Sequence, residues 1–119
     1  MAITEEGLSN FYNGTNTVWH HPMYKKVTYT DGVRYLMHNG AAWFVEGIFA
    51  HIYFTVKFKK HLEFFVITLK KNDDNTATIA YDDGNGKVFH TDKIDFTDFP
   101  LKEISLYFEN GMVLLPSER

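Results

Sequence analysis

A chain of 119 residues, 45% hydrophobic and 17% aromatic, has the length for one domain, 1–119, and ample apolar material for its core. It has no cysteine, which excludes disulfides, thiolate metal sites and a cysteine nucleophile. The formal net charge of -3 is uneven, +3 over residues 1–71 and -6 over 72–119, and the balance argues against a dedicated nucleic-acid binder.

Met1-Ala2-Ile3-Thr4-Glu5-Glu6 lacks the basic start and apolar run of a signal peptide. The most apolar window, 41–58, is interrupted by Glu46, His51 and Lys57 and makes a poor membrane span. A soluble cytoplasmic protein is expected. Leu8, Phe11 and Tyr12 are spaced for a short amphipathic helix over 5–12, opened by Thr4 and stopped by Asn13-Gly14. Residues 16–26 read as irregular, pinned by Trp19, Met23 and Tyr24. A second helix is predicted from Thr30-Asp31 to His38, with Asn39-Gly40 ending it. A third runs over 41–53, where Trp43, Phe44, Val45, Ile48, Phe49 and Ile52 cover most of the circumference, as in a central buried helix. Its Gly47 calls for a closely packed neighbour, since glycine costs about 1 kcal/mol against alanine in a helix.

From Lys57 onward the period changes to that of strands. Residues 63–71 form an apolar run, and 76–82 alternate Ala77, Ile79 and Tyr81 after the Asn72–Asn75 turn. Asp82-Asp83-Gly84-Asn85-Gly86 turns the chain into a strand that starts at Lys87 and continues toward Ile94 and Phe96. Ile104, Leu106 and Phe108 then alternate with polar neighbours, and Asn110-Gly111 folds back into 112–115 as a hairpin. The expected architecture is α+β, with two or three N-terminal helices on one face of a four- or five-stranded antiparallel meander.

Several phrases carry a resemblance: Leu8-Ser9-Asn10-Phe11, Tyr29-Thr30-Asp31-Gly32-Val33-Arg34-Tyr35-Leu36, Asp82-Asp83-Gly84-Asn85-Gly86, Phe96-Thr97-Asp98-Phe99-Pro100-Leu101 and Glu109-Asn110-Gly111-Met112-Val113-Leu114-Leu115-Pro116-Ser117-Glu118. Together they resemble an uncharacterised family of small proteins from bacteria, phages and plasmids, over nearly the whole chain. Phe58-Lys59-Lys60-His61 has no counterpart in that pattern. The resemblance implies no activity and no catalytic residues. It implies an accessory protein of a mobile element, one that binds and modulates a host or defence component.

The sequence carries no strong chemical motif. His20-His21 are adjacent and no H-E-x-x-H occurs; His38, His51 and Glu46 can be imagined as a metal cluster, but nothing in their spacing requires it, so no metal or cofactor is expected. Asp82–Gly86 fails the calcium-loop pattern in both frames, since position six falls on Lys87 or Val88. None of Ser9, Ser105 or Ser117 sits in a nucleophile elbow, and Asp98 reads as a cap for the turn before Pro100. The expectation is therefore a non-enzymatic protein that docks on a bacterial protein or ribonucleoprotein complex, most concretely an anti-CRISPR-like inhibitor of a defence nuclease. Its contact surface would combine Trp19 and Tyr24 with Phe58, Lys59, Lys60 and His61, leaving the recognisable closing hairpin as scaffold. Tyr53 and Phe54 are among the aromatics expected at the surface. Direct nucleic-acid contact is not favoured, and an open sheet edge offers a route to a homodimer. The alternative is a small-ligand or nucleotide-binding domain whose pocket between helix and sheet gathers Arg34, Tyr35, Trp43 and His51.

Overall fold

The computed structural model describes residues 3, 7, 18–21, 27–55, 58 and 63–118. The helix expected over 5–12 lies outside the described residues apart from Gly7, as does most of 16–26. Thr30 opens the helical part from an extended conformation, its hydroxyl accepting from the Val33 N–H at 3.4 Å. Helix α1, Asp31–Leu36, leads into a kink over Met37–Ala41, where Asn39 and Gly40 leave helical geometry and Gly40 takes φ 106°. The Asn39 amide donates to the Tyr35 carbonyl at 2.8 Å, satisfying an acceptor that the kink would orphan. Helix α2, Ala42–Phe54, follows at once. Two separate helices were expected over this stretch. The structure has one helical run, bent where Asn39-Gly40 was expected to end it.

Helix α2 buries Phe44, Val45, Ile48, Phe49 and Ile52. At 100° per residue these five form one broad stripe, and Trp43 lies roughly 170° from its centre. Trp43 is accordingly exposed, as are Tyr53 and Phe54. The helix is a one-sided cover, not the central buried helix expected. An added Cβ at Gly47 meets nothing within 4 Å, so the close neighbour inferred for that glycine is absent. Gly47→Ala is expected to stabilise the protein by about 0.5–1 kcal/mol through helix propensity, read as a higher urea midpoint.

Among the described residues, seven strands form one mixed sheet: β1 Trp19–His20, β2 Thr28–Tyr29, β3 Phe64–Lys71, β4 Ala77–Asp82, β5 Val88–Ile94, β6 Glu103–Glu109 and β7 Met112–Leu114. Their order is β1-β2-β7-β6-β3-β4-β5, with β2 parallel to β7 and the other pairings antiparallel. The sheet is therefore α+β as expected but is not a four- or five-stranded antiparallel meander. Strands β3 to β5 are joined by hairpins, whereas β6 returns beside β3, which is Greek-key order. Strand β6 buries Ile104, Leu106 and Phe108, while Thr91 and Lys93 of β5 stay exposed, so β6 belongs inside the sheet and β5 at its edge.

The connection over 95–102 makes the return. It inserts the fully buried Phe99, whose carbonyl accepts from Lys71 Nζ at 2.6 Å, and the buried Thr97, whose N–H donates to the Asn75 carbonyl at 2.8 Å. Thr97, not Asp98, braces the turn, through the Phe99 N–H to its Oγ1 at 3.1 Å. The β6–β7 hairpin closes as expected on two residues with positive φ, Asn110 at 51° and Gly111 at 88°. One sheet face carries Phe65, Ile67, Leu69, Ile79, Tyr81, Leu106 and Phe108 into the core with the helical run, whereas the other presents Thr68, Lys70, Thr78 and Glu103.

The chain's closing residues clasp its helix start. A short 3-10 turn, Pro116–Glu118, buries the Glu118 carboxylate. That carboxylate accepts from Thr30 Oγ1 at 2.5 Å, from the Gly32 N–H at 3.1 Å and from the Leu115 N–H at 3.0 Å. A Cβ on Gly32 would stand 2.5 Å from Leu115 Cδ1 and 2.6 Å from Glu118 Oε1, so a side chain there would have to push both groups aside. Thr30-Asp31-Gly32 and Pro116-Ser117-Glu118, two recognisable phrases far apart in sequence, are therefore one structural unit. Among the described residues no helix is long and apolar enough to cross a membrane.

Candidate functional site

Strand β5 would ordinarily send alternate side chains to opposite faces. Its pairing with β4 jumps from Tyr81↔His90 to Asp82↔Val88, leaving Phe89 as the extra residue of a bulge. Phe89 and His90 consequently both reach the core face, where each ring packs against Phe58 at 5.2 and 5.3 Å between centroids. Beyond the bulge, Asp92 shares that face with His90. Helix α2 supplies His51 from above.

His51 Nε2 lies 2.7 Å from Asp92 Oδ2, and His90 Nε2 lies 2.8 Å from Asp92 Oδ1. The two imidazole centroids are 4.7 Å apart. Thr55 Oγ1 lies 3.3 Å from His51 Nδ1 and fixes the ring from its other side. Phe58 stacks on His51 at 4.9 Å and 7°, and Tyr81 meets both histidines edge-on or tilted, so the floor is aromatic. The three polar side chains are one-fifth to one-third exposed, so water reaches the cluster.

Burial pushes the Asp92 carboxyl up, but the hydrogen bonds and charges of His51 and His90 outweigh it and hold the group below its ordinary value. Its stabilising contribution is therefore present above the usual aspartate range and is lost as pH falls through the lowered value. Burial, then the charge and hydrogen bond of Asp92, push the Tyr81 phenol well above its usual range, so it stays a neutral donor. Two imidazoles and an ionised carboxylate converging in this way are equipped to share protons or to hold a cation. Among the described residues this is the one group of three His, Asp or Glu side chains close enough to share an ion.

The residues expected to form sites are dispersed. Trp19 donates to Asp31 Oδ1 at 2.8 Å, and its ring carries the Arg34 guanidinium at 3.9 Å, so both are engaged within the chain. Phe58 is fully buried, which removes it from any contact surface. Its place is under His51 because that ring, Phe65, Tyr81 and Phe89 leave a hollow that a phenyl fills. Tyr24, Lys59, Lys60 and His61 lie outside the described residues. Tyr35 packs partly buried against the core. Trp43 and His51 are eight residues apart on one helix, about 12 Å along its axis, and serve different neighbourhoods. Trp43 lines a cavity of about 260 Å³ with Ile94, Phe96, Thr97 and Asp98. The imagined cluster of His38, His51 and Glu46 does not form. His38 is exposed, and Glu46 binds the buried His21, with Oε2 2.8 Å from its Nε2. His90 and Asp92 were missed; their i,i+2 spacing on a strand was the available signal.

The fold and site define a small α+β domain with a Greek-key sheet, on which the kinked helical run 31–54 packs, bearing a His-Asp-His cluster at the seam. The chain belongs to a family of unknown function, DUF6876, whose model matches residues 2–119. No curated protein and no solved structure matches it.

Proposed function

We propose that this is a non-enzymatic interaction protein of a mobile element that binds and modulates a bacterial protein complex, most concretely by blocking the nucleic-acid surface of a defence nuclease as an anti-CRISPR protein does. The observation that carries the reading is the face around Phe96. Phe96 is 71% exposed and Trp43 40%, and the two line one shallow cavity. Rings left in water beside a hollow are typical anchors for a partner. Asp95 and Asp98, both exposed, flank Phe96 within the acidic half of the chain. Carboxylates around an aromatic anchor favour a basic partner, such as a groove that ordinarily holds phosphates. The resemblance to phage and plasmid proteins supplies the biological setting. The surface differs from the one expected from Phe58, since that ring is internal.

Affinity capture from a bacterial lysate, followed by nuclease assays on the captured complex, tests the reading. Phe96→Ala is expected to weaken capture by at least thirtyfold, about 2 kcal/mol, at unchanged thermal stability. Asp95→Lys with Asp98→Lys should slow association most at low salt. A wild-type protein that recovers no basic complex, or a Phe96→Ala protein that recovers it equally well, would refute the proposal.

A further inference from the structure

We propose that His51, His90 and Asp92 form a binding site for one divalent transition-metal ion of the zinc class. The donor set is two imidazole nitrogens and one carboxylate, with donor atoms all within 4.8 Å of one another. A tetrahedral ion with bonds of about 2.0–2.2 Å sets its ligand atoms ~3.4 Å apart. The present nitrogen–oxygen separations are 2.7 Å to Oδ2 and 2.8 Å to Oδ1, within a donor set spanning up to 4.8 Å, so admitting the ion requires the close pairs to open by about 0.6 Å and the widest pair to draw in, by side-chain rotation.

The surroundings match what a metal site needs beyond its ligands. Thr55 Oγ1 on His51 Nδ1 orients that ring so that Nε2 faces Asp92. The Tyr81 ring meets His51 edge-on at 5.5 Å and helps hold that ligand in place. Phe58 and Tyr81 form an apolar floor, while the ligand side chains stay partly exposed to solvent. Three protein ligands would leave a position for water or for a group brought by a partner. His90 and Asp92 share the core face by their regular pairing with Tyr81 and Ile79, and the bulge adds the Phe89 ring to that face beside them. The imidazole and carboxylate chemistry selects zinc, copper or nickel over magnesium and calcium, which prefer oxygen ligands throughout.

The test uses the full chain without an affinity tag. Calorimetric titration with zinc chloride is expected to give one ion per chain. Cobalt(II) is expected to develop visible bands of a four- or five-coordinate site that zinc displaces. His90→Gln and Asp92→Asn should each weaken zinc binding at least tenfold, whereas His21→Gln, at the separate pair with Glu46, should leave it unchanged. Imidazole 15N spectra of the unaltered protein keep the result readable if a variant misfolds: one equivalent of zinc should move the ring signals of His51 and His90 and not those of His21. Zinc binding weaker than about 1 mM would overturn the site and leave Asp92 as the centre of a hydrogen-bonded network alone. So would full affinity in His90→Gln and Asp92→Asn, or ring shifts confined to His20 and His21.

Discussion

Replacing Phe58 with alanine is expected to lower the unfolding free energy by about 3–5 kcal/mol. The ring is fully buried and touches His51, Phe65, Tyr81, Phe89 and His90, so its removal takes away both transfer energy and the partners of five rings. Phe58→Leu keeps much of the volume and should lose no more than about half as much. Urea unfolding monitored by circular dichroism reads the effect, with the midpoint falling and the slope unchanged. A loss below about 1 kcal/mol would mean that the ring is not in the core. The experiment also separates two roles for this residue. A contact residue would change partner capture without moving the midpoint, whereas a core residue moves the midpoint first.

Glu118→Ala is expected to cost about 2–4 kcal/mol and to lower the melting temperature by on the order of 10 °C. The carboxylate is the acceptor for the Thr30 hydroxyl and the Gly32 and Leu115 N–H groups, and alanine leaves those donors in a buried site without it. Glu118→Gln retains an acceptor oxygen but adds a donor among donors, so it should lie between the two. Thr30→Ala alone removes one partner and should cost about 1–2 kcal/mol. The double variant should fall short of the sum by at least about 1 kcal/mol, as for residues in one network. Strict additivity in calorimetric melts would show that the clasp does not exist in solution.

Local chemistry was readable wherever a few consecutive residues determine the geometry. The Asn110-Gly111 turn follows from backbone preference, and the alternation of Ile104, Leu106 and Phe108 from the pleat. The kink at Asn39-Gly40 sits where a helix stop was expected. The Greek-key order was not readable, because periodicity says which face of a strand is apolar and nothing about which strand lies beside it. The length of 95–102 and its apolar residues, of which Phe99 and Leu101 turn inward, were the clue that the connection crosses the sheet and is not a simple turn. Glu118 read as part of a polar tail, since nothing in its neighbours announces three donors arriving from its own turn and from residues 30–32. His90 was hidden by the bulge: counting by twos from Phe89 puts it on the wrong face. His51 was singled out for a pocket with Arg34, Tyr35 and Trp43, whereas the polar side chains beside it come from a strand 39 to 41 residues further on, beyond any local spacing rule.

The clasp also bears on the order in which the chain can fold. The Thr30–Glu118 bond joins residues 88 apart, and β2 pairs with β7 across a similar span. Closing a loop of that length costs about 4 kcal/mol in chain entropy, a cost that neither contact offsets by itself. The four Greek-key strands, by contrast, lie within 64–109 and can assemble without either end of the domain. They form the natural nucleus, onto which the helical run condenses. The clasp then joins last, since it waits on a contact between residues 88 apart.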